Sequence, residues 1–141
     1  MDEELRKKLQ EKTLEYQIVE SRLNQLMQQQ SLIKARLQEV EITKETLDEI
    51  EKSKGKEILI SVGSLSYVHA KLAENEKIIV EVGAGAALPM SMEDAKKLLE
   101  KRKENLQKGS KKLEEEIGKT TQLLQLLHAE IQDLSSKAKG G

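Results

Sequence analysis

Apolar residues recur along the first part of the chain at alternating steps of three and four. From Leu5 the series runs through Leu9, Lys12, Tyr16, Val19, Leu23, Leu26, Gln30, Ile33, Leu37, Val40, Lys44 and Leu47. Ten of these thirteen positions are apolar. Such a heptad pattern, sustained over about six repeats, predicts a long helix with a coiled-coil seam. Neither proline nor glycine interrupts residues 1–54. Lys52 and Lys54 place positive charge in the last turn, and Gly55 follows as a left-handed stop. Lys12, Gln30 and Lys44 are polar positions within the seam, expected to fix register and partner choice at a cost in stability.

After Lys56 the period shortens to two. Ile58, Ile60 and Val62 alternate with Leu59 and Ser61, and Gly63-Ser64 signals a turn. From Ser66 to Ala73, Val68, Ala70 and Leu72 share one face, with Tyr67, His69 and Lys71 on the other. Glu74-Asn75-Glu76 reads as a polar break. Ile78, Val80 and Val82 then mark a third strand, Gly83-Ala84-Gly85 a turn, and Ala86–Leu88 a short fourth strand before Pro89. The pattern predicts two tandem β-hairpins. Four short strands with this much aliphatic content leave unpaired edges and faces that one chain does not cover, so association with other chains is expected.

Ser91-Met92-Glu93-Asp94 has the form of a helix N-cap followed by acidic residues. A second seam runs Met92, Ala95, Leu99, Arg102, Leu106, Gly109, Leu113, then Ile117, Thr120, Leu124, Leu127, Ile131 and Leu134. The step of four from Leu113 to Ile117 is a stutter, flanked by Gly109 and Gly118, and predicts a softened stretch. The fold class is therefore α+β: a long antiparallel helical coiled coil joined by two tandem hairpins. Residues 1–54 form the first helix, 57–89 the assembly module and 91–138 the return helix of a single domain. In a fold-back of this kind, residues whose numbers add to about 140 come level. Leu14, Ile18, Leu123 and Leu126 lie off the seams at one level near the termini. Off-seam Leu32, Ile42, Ile50 and Leu98 are expected to pack on the β module.

Composition narrows the possible functions. The chain has 141 residues, 35% of them charged, yet a formal net charge of −1. Balanced charge describes solvated helix faces and argues against a nucleic-acid footprint. Tyr16 and Tyr67 are the only aromatic residues, which disfavours base stacking and a conventional globular core. Cysteine is absent, so neither disulfides nor thiolate metal sites arise. No apolar run is long enough to span a bilayer, and the charged N-terminus does not read as a secretory signal. These features lead us to expect a soluble, cytoplasmic protein. His69 and His128 lie in different elements without acidic ligand clusters, so no metal is expected. Gly83-Ala84-Gly85 lacks the third glycine of a dinucleotide loop, with Leu88 in its place, and no catalytic or cofactor motif is present.

With these features in hand, the whole chain resembles the archaeal prefoldin alpha subunit. The telling parts are the tandem hairpins, Val82-Gly83-Ala84-Gly85 and the Met90–Arg102 segment. Two hairpins rather than one point to the alpha class. The resemblance implies a hexamer of two alpha and four beta subunits, with the hairpins forming a double β-barrel platform. It further implies an ATP-independent chaperone whose coiled-coil tips hold unfolded clients and pass them to a group II chaperonin. On this reading the client-binding tip comprises Leu5, Leu9, Leu14, Ile18, Leu123, Leu126, Leu127, Ile131 and Leu134. The assembly residues are Ile58, Ile60, Val62, Val68, Leu72, Ile78, Val80, Val82, Gly83 and Gly85. No cofactor, enzyme activity, nucleic acid or membrane enters it. The competing reading is a structural coiled-coil adaptor that binds one folded partner.

Overall fold

The computed structural model of the chain describes residues 2–73 and 77–140, so the expected polar break at Glu74-Asn75-Glu76 lies outside the described residues. Helix α1 spans Glu3–Lys52 and helix α2 spans Met92–Gly140. Between them come strands β1 (Glu57–Gly63), β2 (Ser66–Lys71), β3 (Ile78–Gly83) and β4 (Ala86–Met90). The α+β reading holds: two long helices and two antiparallel hairpins, β1–β2 and β3–β4, each its own two-stranded sheet.

Capping fixes both helix starts. The Asp2 carboxylate accepts a hydrogen bond from the Glu4 N–H at 3.2 Å, a cap not anticipated from the sequence. The Ser91 hydroxyl accepts from the Asp94 N–H at 3.1 Å, and the Ser91 carbonyl accepts from Ala95 at 2.9 Å. The two side-chain caps satisfy otherwise orphaned amides in the first turn, and the Ser91 carbonyl takes the first bond of the α2 ladder. Gly55 adopts φ +77°, as a left-handed stop requires. Its N–H donates to the Leu72 carbonyl at 3.2 Å, and so ties the end of α1 to the strand side rather than closing the helix.

The chain divides into two compact units. One holds Met1–Ala35 with Gln107–Gly141, here the terminal unit. The other is Arg36–Leu106, here the hairpin unit. In the terminal unit the helices run antiparallel. Lys12 meets Glu130 at 2.9 Å, and the rings of Tyr16 and His128 lie 6.2 Å apart. Arg22 meets Glu116 at 3.7 Å, and the Gln30 amide donates to the Ser110 carbonyl at 3.4 Å. The predicted seams are the covered positions: every one of the thirteen on each helix is buried or half-buried. Helix α2 continues without a break through Gly109, the stutter and Gly118.

In the hairpin unit Val40, Leu47, Ala95 and Leu99 form a buried cluster, with Ile50, Ile78, Val80 and Met90 packed against it. Ala95 is only 1% exposed, a small residue that lets neighbouring elements close in. Ile50 therefore joins the packing expected of it. Leu32 and Ile42 do not, and stand 54% and 55% exposed. They lie opposite the seam of α1, where a helix turned toward its partner cannot cover them.

The two hairpins are one unit built twice, twenty residues apart: Ile60 recurs as Val80, Gly63 as Gly83 and Ser66 as Ala86. Each has a register shift just before its glycine, then a two-residue turn with positive φ at both positions, Ser64-Leu65 and Ala84-Gly85. That is the turn geometry whose twist suits a tight hairpin. Strand β4 runs through Pro89, paired with Ile79, to Met90. The strand thus extends beyond the expected end at Leu88; an edge strand tolerates proline because one row of its N–H groups has no partner to lose.

Candidate interaction surfaces

Two sets of exposed apolar side chains stand out, one in each unit. In the terminal unit Leu14 is 58% exposed, Ile18 62%, Leu123 45% and Leu126 56%. These four come from both helices, and the Tyr16–His128 pair sets residues around 16 on α1 beside those around 128 on α2. The nine terminal positions named from the sequence separate into two groups. Leu5, Leu9, Leu127, Ile131 and Leu134 are seam residues, half-buried or, for Leu127, buried. They hold the helices together and have little surface left to offer.

In the hairpin unit the strands expose both faces. Ile78 and Val80 of β3 turn one face onto the buried cluster, while Ile79 on the other face is 73% exposed. Ile60, Val62, Val68 and Val82 are each between 45% and 61% exposed, whereas Ile58 and Leu72 are half-buried. Gly83 and Gly85 carry φ +119° and +75°, conformations that glycine adopts without the strain a side chain would meet. Leu59, Leu65, Tyr67, Ile79 and Leu88 were not among the residues picked from the sequence, yet all are exposed. Counting both faces of each strand, rather than the face with the cleaner alternation, finds four of these. Leu65 is different: it occupies a left-handed turn position, φ +61°, where the second hairpin has Gly85. A bulky side chain there is strained, and its 91% exposure brings no compensating packing.

An open groove of about 600 Å³ lies between α1, α2 and β3 of this unit, with Val40, Leu47, Leu99 and Leu106 on its floor. At its rim the Arg102 guanidinium donates to the Glu81 carbonyl at 2.6 Å, pinning the second hairpin to α2. Surface ion pairs also join the two helices of this unit. Lys44 meets Glu100 at 2.7 Å, Lys103 meets Glu41 at 2.7 Å, and Lys96 reaches Asp48 at 2.8 Å and Glu51 at 2.6 Å. These contacts raise the proton affinity of Lys44 and Lys96, and hold Asp48, Glu100 and Glu41 below the usual carboxylate range, in each case chiefly through the hydrogen bond. Among the described residues no group of three or more His, Asp or Glu side chains is placed to hold a metal ion. No helix among them is long and apolar enough to cross a membrane.

Comparison with known proteins explains the arrangement. The family model described as "Prefoldin subunit" matches residues 19–137. The chain belongs to the prefoldin family. Its relatives include the prefoldin subunit alpha of Pyrococcus horikoshii, 30% identical over 135 residues, covering 94% of this chain and 86% of that one. Prefoldin subunit alpha 1 of Thermococcus kodakarensis is 35% identical over 97 residues. That match covers 68% of this chain and 66% of the relative, a little under two thirds of its length. The cryo-EM structure of filamentous PFD from Methanocaldococcus jannaschii shares the fold, with TM-score 0.66 at 24% identity, covering 91% of this chain and 98% of that one. The tandem hairpins and paired helices are thus the prefoldin architecture, and membership places the chain among subunits of a chaperone family.

Proposed function

We propose that this chain is an alpha-class subunit of an ATP-independent holding chaperone. It assembles through its hairpins, with two copies joining four beta subunits, and captures non-native chains near its termini for transfer to a group II chaperonin. The observation that carries the reading is the set Leu14, Ile18, Leu123 and Leu126. Four large aliphatic side chains at one level of a helix pair are left roughly half exposed or more. Seam packing does not use them, and an exposed apolar cluster of this kind marks an interaction site. Each such contact is weak, worth about 1.5–3 kcal/mol even at full burial. Several arms acting together raise the effective concentration, which gives retention without a tight single site and release without ATP.

The hairpins support the assembly half of the proposal. Two-stranded sheets are marginal alone and here carry aliphatic residues on both faces, so neighbouring subunits supply the missing strands. Ile60, Val62, Val68, Val82, Leu59, Ile79 and Leu88 are the residues we assign to that contact. Ile78 and Val80 anchor the second hairpin to its own helices.

The test is the fourfold variant Leu14→Ser, Ile18→Ser, Leu123→Ser, Leu126→Ser, co-expressed with a one-hairpin homologue and weighed by native mass spectrometry. Assembly should be unchanged, because no altered residue lies in the hairpin unit. Suppression of aggregation of guanidinium-unfolded citrate synthase should be lost. Full suppression by the assembled variant would reject the proposed site. Selective binding of one native protein by the wild type, with no preference for unfolded chains, would establish an adaptor instead.

A further inference from the structure

The outward side of α1 between Leu14 and Ala35 carries no charged side chain, in a chain where 35% of residues are charged. Leu14, Ile18, Gln25, Gln28, Leu32 and Ala35 represent it, and all are exposed. The charged residues of the same stretch, such as Glu15, Arg22 and Lys34, sit at its flanks. Helix α2 differs opposite residues 21–32 of α1, where its outward positions include Lys108, Lys111, Glu115 and Lys119, all exposed. The level is fixed by Arg22 meeting Glu116 and by Gln30 donating to the Ser110 carbonyl. One helix thus has an ordinary solvated face and the other has an uncharged one.

We propose that this face of α1 is a lengthwise track that holds extended, weakly charged segments of non-native chains, continuing inward from the terminal leucines. The inference rests on the chaperone reading above and names the chemistry of what is held. A permanent helix partner would need a narrow seam with an apolar residue at nearly every heptad position, as the α1 seam has. This face is broader and mostly glutamine, serine and asparagine, with aliphatic groups at Leu14, Ile18 and Leu32. A glutamine amide both donates and accepts, so it pairs with the backbone of an extended chain whatever its sequence. The spaced aliphatic groups take occasional apolar side chains. The lack of fixed charge means that neither acidic nor basic segments are repelled. The stretch is about 33 Å long at 1.5 Å per residue, room for roughly ten residues of extended chain.

A photo-cross-linking residue placed at Gln28 or at Lys111 of the assembled complex reads the two faces directly, with guanidinium-unfolded citrate synthase as the client. Position 28 should capture client about fivefold more than position 111, and the paired change Gln25→Glu, Gln28→Lys should raise the concentration needed for half-suppression of aggregation about threefold. That pair leaves net charge unchanged and touches only exposed positions, so folding is not at stake. Equal capture at the two positions, or a paired variant as active as wild type, overturns the track while leaving the terminal site standing. Capture of a second copy of this chain by position 28 in the absence of client also overturns it, since the face would then be an interface between subunits. Failure of the wild type to suppress aggregation at all removes both this inference and the chaperone reading.

Discussion

The terminal unit and the hairpin unit are built from the same two helices, yet they are held in different ways. The most deeply covered residues described in the terminal unit are Leu26, Leu127, Gln30 and Thr120, so half of them are polar. In the hairpin unit they are Val40, Leu47, Ala95 and Leu99, all apolar and joined in one cluster. Aliphatic packing is concentrated where the strands add a third layer to the helix pair. Where only two helices meet, the seam is narrow and the surplus leucines face outward. Dense packing and exposed terminal leucines thus fall in different units, which lets one surface stay exposed without weakening the scaffold.

The sharpest way to break that comparison is to delete the same side chain from each unit. Leu99→Ala removes a 7% exposed side chain from the hairpin cluster and should cost about 2–5 kcal/mol. Leu126→Ala removes one that is 56% exposed and should change stability by no more than about 0.5 kcal/mol. Urea unfolding followed by circular dichroism gives both values. Comparable losses would mean that Leu126 is structural, and the division between scaffold and working surface would fail.

The heptad series anticipated the seams of both helices position by position, because burial along a helix pair is almost wholly a matter of spacing. The hairpins were legible for the same reason, from the change of period and the glycine turns. Exposure was harder to read. Leu32 and Ile42 were expected to pack on the strands, because a leucine off the seam has no address in a one-dimensional pattern. Pro89 hid the length of β4, since its missing N–H costs nothing where that position of an edge strand faces away from the partner. The repeat relating the hairpins was missed because it is carried by geometry more than identity: Leu65 and Gly85 occupy the same left-handed turn position. Near the termini exposure was easier to read: heptad spacing put Leu14, Ile18, Leu123 and Leu126 off the seams, and all four are exposed. That spacing also separates Leu126 from its neighbour Leu127: the first, off the seam, is 56% exposed and the second, on it, is buried.

A smaller effect sharpens the account of the terminal unit. Glycine costs a helix interior about 1 kcal/mol relative to alanine. At Gly118 an added β-carbon would meet nothing within 4 Å, so Gly118→Ala should stabilise the chain by about that amount. At Gly109 the β-carbon would touch Ile33 Cδ1 at 3.5 Å, an ordinary contact. Amide exchange over residues 112–124 should slow in Gly118→Ala. No change in exchange would show that the stutter is already as rigid as the rest of α2.

The smallest expected effect is electrostatic and falls on the hairpin unit. Asp48, Glu100 and Glu41 have lowered pKa values, each mainly through a hydrogen bond from Lys96, Lys44 and Lys103 respectively. A carboxylate lowered on folding contributes stability above its unfolded pKa, about 3.9 for Asp and 4.3 for Glu, and loses it as pH falls through the folded value. Lys44 and Lys96 are raised, so their contribution is complete below about 10.4 and disappears as pH climbs through the folded value. The melting temperature should therefore be flat between about pH 5 and 9 and decline on either side. The decline should be shallow, because these pairs are solvated and screened. Lys96→Met removes the partner shared by Asp48 and Glu51, so its acid limb should be shallower than that of wild type. Added salt should bring the two curves together. Identical acid limbs at low salt would show that the pairs contribute nothing measurable, leaving the aliphatic cluster alone to distinguish the hairpin unit from the terminal one.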